Sequence, residues 1–96
     1  MGVLVQLEAN AKPDCVDVMT DMIRKRFPET RAFDGCNEIT AYLNEDGHTF
    51  VFVEQWETKQ QYEKYLSWRE ETGVLAQLGA LLQEPPNIRF FNAVDA

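Results

Sequence analysis

A chain of 96 residues is long enough for one hydrophobic core and short of the size at which chains split in two, so residues 1–96 are read as a single domain. An apolar share of 45% separates it from disordered chains, which cannot bury enough apolar area to offset backbone ordering. The formal net charge of -7 argues against a nucleic-acid partner, because phosphate binding draws its affinity from Lys and Arg displacing counterions.

The start, Met1-Gly2-Val3-Leu4, has no basic stretch and no long apolar run, so neither a signal peptide nor a membrane span is expected. A reducing cytoplasm is the simplest compartment. Cys15 and Cys36 fall on expected helix and strand positions, where a small buried thiol packs much like an alanine.

Val3, Val5 and Leu7 alternate with Leu4, Gln6 and Glu8, a period of two that predicts a half-buried strand over 2–8. Lys12-Pro13-Asp14 then opens a helix, since proline suits the first helical position and Asp14 and Asp17 suit the positive end of the dipole. Val16, Met19, Met22, Ile23 and Phe27 share one face of that helix, and Pro28 is expected to close it. Arg24-Lys25-Arg26 sits where the last turn of a helix welcomes cations, which is a structural role rather than a phosphate site.

A second strand is expected over Cys36 to Leu43 and a third over Thr49 to Trp56, joined through Asn44-Glu45-Asp46-Gly47, a hairpin signal. Thr58-Lys59-Gln60-Gln61 matches a capping box, so a helix starts at Thr58 with Tyr62, Tyr65, Leu66 and Arg69 on one side. Gly73 interrupts it before a second stripe of Val74, Leu75, Leu78, Leu81 and Leu82. Pro85-Pro86 stops that stripe, and Ile88 to Val94 reads as a last strand.

The order strand, helix, strand, strand, helix, strand is the ferredoxin-like βαββαβ plan, an α+β fold with four antiparallel strands and the helices on one face. The third strand is apolar on both sides: Val51 and Val53 point one way, Phe50, Phe52 and Trp56 the other. The side away from the helices therefore needs a cover, and a second copy of the chain is the simplest, which predicts a homodimer packed sheet to sheet.

No metal constellation, phosphate loop or nucleophile motif is present, and the lone His48 reads as a surface residue beside the hairpin turn. What remains is Phe52, Glu54 and Trp56, which alternate onto one face and set a carboxylate between two aromatics. Glu54 either pairs with a basic residue such as Arg31 or Arg89 and ties the strand down, or lines a cavity between sheet and helices as a proton acceptor. Trp56, Tyr62, Tyr65 and Trp68 likewise form either core or an amphipathic lining for a flat aromatic ligand.

Gly35-Cys36 opening the second strand, followed by Phe50-Val51-Phe52-Val53-Glu54-Gln55-Trp56-Glu57-Thr58 and a helix, resembles the antibiotic biosynthesis monooxygenase family of dimeric ferredoxin-like proteins. The resemblance implies a dimeric α/β barrel with one pocket per subunit between helices and sheet. It also implies oxygenation of a small aromatic phenol or quinol without metal, flavin or other cofactor, in which Glu54 takes the phenol proton, Tyr65 orients its oxygen, and Phe52, Trp56, Tyr62 and Trp68 surround the ring.

Three positions depart from the family pattern. Places that hold helix histidines in many relatives carry Tyr65 and Glu70 here, and Gln6, expected to bind substrate, replaces the haem-degrading branch's first-strand Asn. Trp56 matches that branch's strand-end Trp, but with no helix His to ligate iron, haem degradation by its route is disfavoured. The rival to an enzyme is a non-catalytic dimeric ligand-binding or regulatory module of the same fold.

Overall fold

The computed structural model describes residues 2–96. In chain order they form β1 (Val3–Asn10), a 3-10 turn (Pro13–Cys15), α1 (Val16–Arg31), β2 (Cys36–Leu43), β3 (Thr49–Trp56), α2 (Lys59–Glu71), α3 (Val74–Ala80) and β4 (Asn87–Asn92). The strands make one sheet in the order β2-β3-β1-β4 with every neighbouring pair antiparallel, which is the expected α+β ferredoxin-like arrangement. Among the described residues no helix is long and apolar enough to cross a membrane.

Two strand limits shift for reasons of pairing. β1 runs on to Asn10 because Thr49 of β3 pairs with it. β4 stops at Asn92, short of Val94, because Asn92 already pairs with Val3 at the start of β1.

Pro28 does not close α1. The helix continues through it to Arg31, although proline removes one backbone donor from the ladder. Burial of Phe27 and Thr30 on either side of Pro28 holds that last turn against the rest of the protein.

The hairpin between β2 and β3 is fixed by acid side chains on backbone donors. The Asp46 carboxylate accepts from the amides of His48 and Thr49, each at 2.9 Å, and from the Thr49 hydroxyl at 2.6 Å. Those donors hold its pKa down at about 2. His48 is half-buried beside this turn with Nδ1 2.6 Å from Asn10 Oδ1.

Register divides the sheet into two faces. Leu7, Ala9, Ile39, Phe50 and Phe52 face the helices and are buried with Met19, Phe27 and Leu78, while Val5 on the same face is buried with Trp56, Tyr62 and Tyr65. The opposite face carries Leu4, Gln6, Val51 and Val53, all half-buried, with exposed Tyr42 and Phe91 alongside. Both faces of β3 are thus apolar, as its sequence implies. Cys15 and Cys36 are unpaired and partly exposed, not the buried alanine-like thiols expected.

Candidate active site

The end of β3 delivers the site. Alternation turns Phe52, Glu54 and Trp56 toward the helices, and the chain then enters α2, where the Thr58 hydroxyl accepts from the Gln61 amide at 3.1 Å. The Gln61 side chain packs over Gly35, whose φ of 97° and missing Cβ allow the approach; a Cβ there would lie 2.6 Å from Gln61. α2 is thereby held so that Tyr62 and Tyr65 pack on Trp56 of the sheet and Arg69 reaches α1.

Neither arginine expected near Glu54 reaches it. Arg31 donates to the Ile39 carbonyl at 3.2 Å and lies over the Phe27 ring, while Arg89 lies over Phe91 on the other face of the sheet. Glu54 is 2% exposed, and its Oε1 accepts from the Trp56 indole at 2.9 Å. Burial raises its pKa to about 7, with the indole N–H pulling the other way.

Beside it lies a cavity of about 50 Å³ walled by the sheet and all three helices. Phe52, Glu54, Tyr62 and Tyr65 line it, together with Met19, Ile23 and Leu78. Trp56 and Trp68 do not touch it. Trp56 is fully buried against Tyr65 and Tyr62, at ring separations of 5.1 and 5.4 Å, and Trp68 packs on Phe33. Gln6 pairs with Val53 on the opposite face of the sheet and is not part of the cavity.

The two cavity tyrosines differ in how their hydroxyls are used. Tyr65 accepts from Arg69 Nε at 3.0 Å and is 2.7 Å from the Thr30 hydroxyl. Thr30 also accepts from Arg69 Nη2 at 3.0 Å and donates to the Arg26 carbonyl at 3.3 Å. With the Thr30 proton spent on that carbonyl, Tyr65 is the donor in the short contact. Its hydroxyl is bonded within the protein, where the sequence reading has it orient a ligand oxygen. Tyr62 instead has a buried hydroxyl with no partner among the described residues, and burial and the nearby Glu54 push its pKa up, so it stays a neutral donor.

Arg69, which the sequence places on one side of the helix with Tyr62 and Tyr65, takes on a role only in the structure. It is 3% exposed and also donates to Glu29 at 2.9 Å and to the Arg26 carbonyl at 2.9 Å, clamping α2 to α1. Its signal was visible as a charge on the apolar face of α2, four residues after Tyr65. The bonds to Arg69 lower the pKa of the Glu29 carboxylate.

Solved structures share this architecture. A Mycobacterium tuberculosis protein, Rv0793, superposes with a TM-score of 0.87 at 23% identity, covering 100% of this chain and 98% of its own. A conserved protein from Methanosarcina mazei gives a TM-score of 0.88 at 15% identity, covering 98% and 94%. A monooxygenase from Streptomyces coelicolor, ActVA-Orf6, solved in complex with nanaomycin D, gives 0.82 at 21% identity, covering 99% and 89%. Residues 2–70, from β1 through nearly all of α2 and so including Glu54, Trp56, Tyr62 and Arg69, match the family described as antibiotic biosynthesis monooxygenase, and the chain belongs to that family.

Proposed function

We propose that this protein is a cofactor-independent monooxygenase acting on a small aromatic phenol or quinol, with Glu54 as general base and Tyr62 as donor to the substrate oxygen. The observation that carries the proposal is a carboxyl of pKa about 7 on a cavity wall whose other unspent polar group is the Tyr62 hydroxyl. A base titrating near the working pH is suited to proton abstraction.

A phenol with a pKa of about 10 loses its proton to Glu54 at a cost of about 4 kcal/mol. The Tyr62 hydroxyl, donating to the phenolate that forms, reduces that cost. The electron-rich ring then bonds dioxygen at carbon. A phenol with a hydrogen para to its hydroxyl becomes a quinone: the ring gains one oxygen and loses two hydrogens, the second oxygen leaves as water, and four electrons pass from ring to dioxygen. Phe52 and the Tyr65 ring form the wall, and Trp56 holds the Glu54 carboxylate from behind.

Oxygen uptake with 1-naphthol and a panel of hydroquinones tests this. Uptake that falls on the order of a hundredfold in Glu54→Gln supports it; no uptake by the wild-type chain, or uptake indifferent to Glu54→Gln, overturns it. We infer also that the apolar outer face of the sheet pairs with a second copy, so light scattering at micromolar concentration should return twice the chain mass.

The second reading, a dimeric module that binds an aromatic ligand without turning it over, is favoured by Tyr65 and Glu70 standing where many members of the family carry helix histidines. It predicts a rise in melting temperature with 1-naphthol and no oxygen uptake.

A further inference from the structure

A cavity of about 50 Å³ does not hold an aromatic ring, so if the proposed ligand class is right a wall must move. Three of the four walls are firmly tied. The sheet is held by its ladders, and α1 and α2 are held to one another by three hydrogen bonds of Arg69 and by the Thr30–Tyr65 hydroxyl contact.

The fourth wall, α3, differs. It contributes Val74, Leu75 and Leu78 to the cavity, yet among the described residues only two side-chain hydrogen bonds reach it. One runs from Arg26 to Gln77 at 3.4 Å and the other from Lys12 to the Ala80 carbonyl at 3.1 Å. Seven residues make a helix too short to persist alone, and Gly79 weakens it further.

Its ends are unlike each other. At the start, Gly73 has φ 82° in open space with no side-chain cap, a junction able to absorb a backbone rotation. At the far end the chain is pinned to β1: the Lys12 amide donates to the Leu81 carbonyl at 2.8 Å, and the Gln83 amide to the Asn10 carbonyl at 2.9 Å.

We propose that α3 is the gate of the cavity, swinging about Gly73 against the Leu81–Gln83 anchor so that Val74, Leu75 and Leu78 withdraw to admit a ring-sized ligand. The inference rests on the cavity being the aromatic-ligand site. Arg26 and Gln77 form the latch. The gate decides ligand size, because the walls behind it are fixed.

Hydrogen exchange resolved by residue tests the gate without a ligand. Amides of Gln77 to Ala80 should exchange roughly tenfold faster or more than those of Tyr65 to Arg69, because opening α3 does not require unfolding α2. Gln77→Ala, an exposed position, should quicken α3 exchange about twofold and leave α2 unchanged. Equal protection of the two helices, with no response to Gln77→Ala, overturns the gate. Adding 1-naphthol should then slow α3 exchange selectively. If it protects no amide, the aromatic-ligand reading fails, while the ratio of α3 to α2 exchange in the free protein still decides whether the helix opens.

Discussion

The two polar regions on the cavity wall are built in opposite ways. Around Arg69, every buried group has a partner: the guanidinium, Tyr65, Thr30 and the Arg26 carbonyl form one closed set between α1 and α2. Around Glu54, on the sheet side of the same cavity, a carboxyl has a single indole donor and the Tyr62 hydroxyl has no partner among the described residues. Buried polar groups that are satisfied hold a fold together, whereas those left open cost stability and are available to a ligand. The first region is scaffold and the second is site.

The strongest way to break the contrast is Arg69→Met, which strips partners from Tyr65, Thr30 and the Arg26 carbonyl at once. We expect a loss of roughly 3–5 kcal/mol, read as a lowered urea midpoint at unchanged slope. An effect under 1 kcal/mol would mean the cluster is not scaffold.

Glu54→Gln should act in the other direction. Below about pH 4.5 the carboxyl is protonated whether the chain is folded or not, and it costs nothing. Between there and about pH 7 the unfolded chain ionises while the buried carboxyl keeps its proton, so wild-type stability falls as pH rises. Above about pH 7 the penalty is constant at about 3 kcal/mol, from about 1.4 kcal/mol per pH unit. The glutamine variant, which still accepts from Trp56, should be more stable by about that amount at pH 8 and little changed at pH 4. A wild type whose urea midpoint does not fall between pH 5 and 8 relative to this variant would show that Glu54 is not desolvated.

Smaller perturbations sharpen the same line. Thr30→Val leaves the Tyr65 proton without its acceptor and should cost about 2 kcal/mol by thermal or urea unfolding. Tyr62→Phe removes an unpartnered hydroxyl and should be neutral or stabilising by about 1 kcal/mol. If the hydroxyl serves a ligand, the same variant should weaken 1-naphthol binding about tenfold in a fluorescence titration. Stability lost with Tyr62→Phe would place that hydroxyl in the scaffold after all.

Much of this molecule was legible in one dimension. The period of two in Val3, Val5 and Leu7, the Thr58 cap and the Gly73 break are local signals, and each lies where a neighbour a few residues away suffices to decide the conformation. The apolar character of both faces of β3 was equally plain, as was the carboxylate at Glu54 between two aromatics.

What the tertiary structure decided was which polar group meets which. Tyr65 and Thr30 are 35 residues apart in sequence, and Arg69 and Glu29 are 40 apart, so no local pattern encodes their bonds. Pro28 reads locally as a stop, yet the packing of its neighbours carries α1 past it. Glu54 invites a partner such as Arg31 or Arg89, but sheet register turns Arg89 to the far face and Arg31 bonds the Ile39 carbonyl instead. Local sequence sets backbone conformation through forces that act within a turn or a strand. Burial, and with it the pKa of Glu54 and the open hydroxyl of Tyr62, exists only once distant elements have closed over them.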